Sequence, residues 1–193
     1  GRQIAFVSSH TGRRGIWLVP AAGGEMAQLT SDEGADYDPD WAPDGTRLVF
    51  VSNRAGTPDL WVTSADGNDV VGLTSGPGND FSPRWSPDGM WVVFRSIRDD
   101  QADVWVVAAE GGGVMPLTAD PASESHLWWS PSGDMVTFSV GTSRTALWSV
   151  SAEGGAPTML TDAEYWAERP KVSPNGDVIA FLSDRGGSTD LYV

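Results

Sequence analysis

Short apolar bursts alternate along the chain with clusters of Gly, Pro, Asp and Ser, and the bursts are too short for helices. Between residues 80 and 118, the segments 81–86, 91–96, 104–108 and 114–118 read as four strands, here called a, b, c and d. Strands a and b are separated by Ser86-Pro87-Asp88-Gly89, where Pro is pre-set for the second turn position and Gly accepts positive φ. The same chemistry returns as Ala42-Pro43-Asp44-Gly45, Ser130-Pro131-Ser132-Gly133 and Ser173-Pro174-Asn175-Gly176. Strands c and d are joined at Ala22-Gly23, Asp66-Gly67, Glu110-Gly111 and Glu153-Gly154. No segment of about ten residues carries a helical period.

Four series of landmarks keep one interval. Phe recurs at Phe6, Phe50, Phe94, Phe138 and Phe181, and a bulky aromatic at Trp17, Trp61, Trp105, Trp148 and Tyr192. Leu-Thr recurs at Leu29-Thr30, Leu73-Thr74, Leu117-Thr118 and Leu160-Thr161. A second tryptophan stands at Trp41, Trp85 and Trp129, with Val172 in the equivalent place. The intervals are 43 or 44 residues throughout. Four short antiparallel strands at that interval describe one blade of a β-propeller. The expected fold is therefore all-β: one propeller domain or fragment over 1–193, with complete blades at 31–74, 75–118 and 119–161. Residues 1–30 supply strands b, c and d only, and 162–193 supply a, b and c. This count favours an arc of a ring of six or more blades. The incomplete terminal blades are expected to offer edges for self-association, because unpaired strands recruit other strands.

Composition narrows the function. The chain carries 26 Asp+Glu against 12 Lys+Arg, a net charge of −14, which disfavours a nucleic-acid binder. Zero cysteines exclude disulfides, thiolate zinc sites and thiol catalysis. Apolar runs such as 104–109 fall far short of the ~20 residues of a membrane helix, so no membrane insertion is expected. The two histidines, His10 and His126, hold different repeat positions. No G-x-S-x-G, H-E-x-x-H or phosphate-cradling glycine pattern occurs, and no catalytic residue is assigned.

Asp80-Phe81-Ser82-Pro83-Arg84-Trp85-Ser86-Pro87-Asp88-Gly89, followed by a strand ending Phe-x-Ser, then Asp-Leu-Trp-Val, Asp-Gly and Leu-Thr, resembles the TolB-type propeller repeat. Residues 36 to 45 nearly repeat the pattern, and the resemblance spans the whole chain. Its relatives include propeller domains of prolyl oligopeptidase-like and tricorn-like peptidases. The resemblance implies a ring of blades and a bacterial periplasmic or cell-envelope setting.

Several recurrent residues are candidates for function. Trp41, Trp85 and Trp129 on strand a, and Trp61, Trp105 and Trp148 on strand c, are expected to fill the wedges between blades rather than form a ligand cage. Trp91, Trp128 and Trp166 break the pattern and are better contact residues. Arg54, Arg98 and Arg185 occur where Asp59, Asp103 and Asp190 also occur. Thr142 and His10 replace the arginines in blades that lack the aspartates. Each Arg is thus expected to pair with its Asp across the b–c hairpin; an anion-binding ring is the alternative. Asp36, Asp80 and Glu124 open strand a and are expected near the channel mouth. There they would make a cation site, with Ca²⁺ as the suitable ion, or a dock for a basic peptide; otherwise they would bond neighbouring turns. No other cofactor is expected. Candidate partner-binding residues are therefore Asp36, Asp80, Glu124, His126, Trp128 and Trp166. The d–a and b–c loops share one end of a propeller and vary here (8–15, 53–58, 97–102, 119–126, 141–145, 162–168 and 183–189), whereas the a–b and c–d turns of the other end are monotonous. Two functions follow: a module binding a protein or peptide through its loops and acidic channel mouth, or an accessory propeller gating a larger hydrolase.

Overall fold

Each period of the sequence forms one antiparallel meander in the computed structural model, which describes residues 1–31, 33–119, 121–141 and 144–193. The first sheet has three strands: β1 (Gln3–Ser8), β2 (Gly15–Pro20) and β3 (Ala27–Gln28). The second has four: β4 (Asp36–Trp41), β5 (Arg47–Ser52), β6 (Asp59–Ser64) and β7 (Val70–Gly72). The third is β8 (Asn79–Trp85), β9 (Trp91–Arg98), β10 (Gln101–Ala108) and β11 (Met115–Pro116). The fourth is β12 (Glu124–Trp129), β13 (Met135–Val140), β14 (Ala146–Ser151) and β15 (Thr158–Met159). The fifth has three: β16 (Ala167–Val172), β17 (Ile179–Ser183) and β18 (Asp190–Tyr192). The fold is all-β, with no helix among the described residues and none long and apolar enough to cross a membrane.

The Leu-Thr landmark has a local cause. The outermost strand is only two or three residues long, and past it the threonine side chain continues the ladder. Thr30, Thr74, Thr118 and Thr161 each accept, through Oγ1, the backbone N–H of Ile16, Leu60, Val104 and Leu147 at 2.9–3.0 Å. The preceding leucine returns its N–H to the carbonyl of that same residue at 2.7–2.8 Å. The third hairpin departs from expectation. Residues 97–102 were expected as a loop, but Arg98 pairs with Gln101 and only Asp99 and Asp100 turn. Both take positive φ, 50° and 62°, the conformation a two-residue hairpin needs and Asp tolerates.

The sheets are held together by apolar side chains between them. Phe50, Phe94 and Phe138 are fully buried, and each packs against the preceding sheet. Phe50 meets Ile16; Phe94 meets Val49, Val51, Leu60 and Val62; Phe138 meets Val93, Val104 and Val106. Phe181 joins Leu147 in the same way. Trp85 and Trp129 sit in these same clusters at 6% and 5% exposure, so the expected wedge role is what the fold displays. Truncating Trp85 should leave a cavity that two rigid sheets cannot close. Trp85→Ala is expected to lower stability by ~3–5 kcal/mol in denaturant or thermal unfolding; an unchanged melting temperature would remove the wedge from the account.

Candidate functional site

Strands β4, β8, β12 and β16 are the innermost of their sheets and contact one another in series. Each carries a bulge at one repeat position, where the pairing with the next strand slips. The residues at the bulge are Asp38, Ser82, His126 and Arg169, with φ between 51° and 55°. The left-handed conformation costs a non-glycine residue about 1–2 kcal/mol, and four blades adopt it at one repeat position. Proline follows in three of them, at Pro39, Pro83 and Pro170, and disfavours the right-handed helical alternative for the residue before it. Asp38, His126 and Arg169 are exposed there and Ser82 is half-buried.

Two residues further on, Asp40, Arg84, Trp128 and Lys171 gather. The Trp85 backbone N–H donates to Asp40 Oδ2 at 2.8 Å, and the Trp129 indole donates to the Arg84 carbonyl at 3.0 Å. Each bond spans 45 residues and ties one inner strand to the next. The Arg84 guanidinium lies 6.0 Å from the Trp128 ring centre, and Lys171 Nζ lies 2.8 Å from it. Burial raises the Asp40 pKa, against the Trp85 N–H, Arg84 and Lys171. Burial and then Arg84 pull Lys171 down to about 8, against Asp40.

A second group lies between the fourth and fifth sheets. Glu168 receives the Trp166 indole N–H at 2.9 Å and faces His126 Nε2 at 3.6 Å and Arg169 Nε at 3.9 Å. His126 Nδ1 meets Ser125 Oγ at 3.1 Å. Burial, with help from Arg169 and against Glu168, lowers the His126 pKa, so the ring is neutral at pH 7.

A bulged inner strand, a Pro-x-Gly turn and a Leu-Thr closure now stand in one repeat, and the sequence matches the TolB β-propeller domain, PD40, over residues 1–74 and 59–193. The chain belongs to this family. Its fold is similar to a protein assigned as TolB from Agrobacterium tumefaciens (24% identity, TM-score 0.79, 100% of this chain and 72% of that one). It is also similar to TolB from Acinetobacter baumannii (25%, 0.80, 98% and 48%) and to a puromycin hydrolase (18%, 0.71, 89% and 29%). The chain thus spans under half the length of the latter two. No curated protein is matched significantly by the sequence.

In this TolB-type frame the candidate residues divide. Asp36, Asp80 and Glu124, expected at the channel mouth, are buried within the blades at 0–2% exposure. Asp36 takes both Arg54 Nη2 contacts, at 3.1 and 3.3 Å, and Asp80 accepts the Ser96 hydroxyl at 2.6 Å. A charge in the blade interior needs a donor, supplied for Asp80 by its direct strand-b partner Ser96 and for Asp36 by Arg54, just past the end of β5. The mouth is accordingly not acidic on their account. Besides those three buried acids, the inner strands carry three carboxylates, Asp38, Asp40 and Glu168, and three cations, Arg84, Arg169 and Lys171. No cluster of three or more potential metal-ligating side chains occurs among the described residues.

The expected pairing of Arg54 with Asp59 is corrected as well. Arg54 pairs with Asp36 and Glu33, and Asp59 takes the Thr57 hydroxyl; Asp190 takes Ser188. Arg54, Arg98 and Arg185 lean over the strand-c rings of Trp61, Trp105 and Tyr192 at 4.1–5.1 Å. Thr142 lies outside the described residues. His126 and Trp166 do come together, through Glu168, while Trp128 belongs to the Asp40 group. Sequence reasoning missed Asp40, Arg84, Lys171 and Glu168. The signal available was the x before Trp in D-x-x-P-x-W, which differs in every blade.

Lys171 is the one lysine of the chain, which makes its environment measurable. After reductive ¹³C-methylation its resonance should titrate with a midpoint near 8, and Arg84→Ala should move the midpoint upward. Because the folded state releases this proton before the unfolded chain does, stability should rise with pH between about 8 and the lysine's ordinary 10.5. A midpoint at the ordinary value would contradict the placement of Lys171 over Trp128.

Proposed function

We propose that the chain is a TolB-like propeller that binds a protein or peptide partner at its loop end and axial opening, without chemistry of its own. One observation carries the reading: the backbone of the inner strands repeats, whereas the side chains at the bulge do not. Asp38, Ser82, His126 and Arg169 occupy one conformation in four blades with an acid, a hydroxyl, a neutral imidazole and a guanidinium. Packing alone would favour one residue type at a repeated position. Four different polar groups on a rigid, strained support suit recognition of an irregular polar surface. The His126–Glu168–Trp166 group adds a polar and aromatic wall beside them.

Similarity to the puromycin hydrolase propeller supports a second reading, an accessory domain gating a larger peptidase. The gene decides between them, since a G-x-S-x-G-bearing α/β domain encoded downstream would select the second.

For the first reading, random peptides displayed on phage and selected on the chain should converge on sequences whose binding weakens about tenfold or more in Asp38→Ala and Arg169→Ala. That is the loss expected for one charge-assisted hydrogen bond. Both side chains are exposed, so melting should not change. Selected peptides indifferent to both substitutions would contradict the axial site.

A further inference from the structure

The turn end of the molecule holds a pair of equivalent clefts, one period apart, of which only the first contains a cation. Between the second and third sheets, Arg47 at the start of β5 lays its guanidinium over Trp85, 5.1 Å from the ring centre. It also pairs with Glu110 at 2.9 Å. Val62, Val71 and Ala109 complete the walls. One period later the same cleft recurs between the third and fourth sheets. Val106, Met115 and Ala152 replace the apolar wall, Trp129 replaces Trp85, and Glu153 replaces Glu110. The arginine does not recur, because Trp91 opens β9 in its place. The two clefts are of similar volume, about 400 Å³ here and about 370 Å³ around Arg47, so the exchange removes the cation and leaves the space.

This cleft keeps every element that holds Arg47 except the cation. No cation lies over Trp129 and none pairs with Glu153 among the described residues. Asp88 and Asp134 stand at its rim, and neither Lys nor Arg lines it. Hydrogen bonds from Ser86 and Met90 hold the Asp88 pKa below the ordinary carboxylate value; those from Ser132 and Ser130 do the same for Asp134. Three carboxylates therefore surround two indoles, Trp91 and Trp129. An indole face attracts a cation and a carboxylate takes a guanidinium through paired N–H donors. Where the fifth sheet meets the fourth, Val172 replaces the tryptophan and the aromatic floor is gone.

We propose that the cleft between the third and fourth sheets binds an arginine side chain of a partner polypeptide, in the position Arg47 occupies one blade earlier. The site lies at the opposite end from the loops invoked above and stands independently of them. The chain's own Arg47 supplies the template, and Trp91 supplies a second ring in place of its stem.

The probe is acetyl-Gly-Arg-Gly-amide, titrated into the chain while the indole N–H resonances of Trp91 and Trp129 are followed. Saturable shifts of both are expected, with the citrulline peptide, equal in shape but uncharged, at least about tenfold weaker. Glu153→Gln, at an exposed position, should weaken the arginine peptide without changing the melting temperature. Trp91→Arg should set a cation against Trp129 and Glu153, as Arg47 stands against Trp85 and Glu110, and abolish binding in a protein that remains folded. Asp38→Ala should have no effect, which separates this site from the axial one. Equal binding of the arginine and citrulline peptides, no saturable shift, or undiminished binding to a folded Trp91→Arg variant would each overturn the proposal.

Discussion

Packing between neighbouring sheets is the constraint on which the rest of the structure depends. A single four-stranded meander of this size has two apolar faces and cannot bury either alone. Phe50, Phe94, Phe138 and Phe181 each bury themselves against the sheet before, and the inner-strand tryptophans close the narrow side of the wedge. Each sheet is therefore stable only as a neighbour. Constant spacing in the sequence follows, because a wedge accepts an aromatic at one depth and not at another.

That rigidity makes small differences between blades meaningful. The inner strands are tied across one period by backbone and indole hydrogen bonds, Trp85 to Asp40 and Trp129 to Arg84. Residues distant in the chain thereby become adjacent at fixed positions. The bulge holds one residue of each inner strand in the left-handed conformation and sets the residue two positions on against the neighbouring strand, so four different polar groups share one conformation without disturbing the frame. At the turn end, one exchange at the head of strand b, Arg47 against Trp91, leaves an indole and a carboxylate without the cation they hold one blade earlier.

The blade architecture was legible in the sequence because strands and turns are local events. Pro-Asp-Gly and Leu-Thr act over a few residues, and their spacing passes directly into sheet order. The candidate site was less legible. Asp36 was visible as a repeated acid, but its partner Arg54 lies 18 residues away in the b–c turn, and the hairpin neighbour Asp59 looked the nearer choice. Burial reversed the reading of Asp80 and Glu124 in the same way, since an acid at the head of an inner strand can point inward or outward with no change in pattern. Asp99-Asp100 lacks the usual glycine of a tight hairpin, which concealed two extra rungs of pairing between β9 and β10.

The net charge of −14 describes the whole chain and misdescribes the inner strands, where Asp38, Asp40 and Glu168 are matched by Arg84, Arg169 and Lys171. Charge patterning is resolved blade by blade, and that resolution exists only if residues one period apart touch. Nuclear Overhauser contacts on the isotope-labelled chain measure this directly. Cross-peaks from the Trp129 indole N–H to the α-proton of Arg84, and from the Trp85 amide to the β-protons of Asp40, are expected alongside the within-sheet contacts. Intact sheets that lack both cross-period contacts would contradict the account.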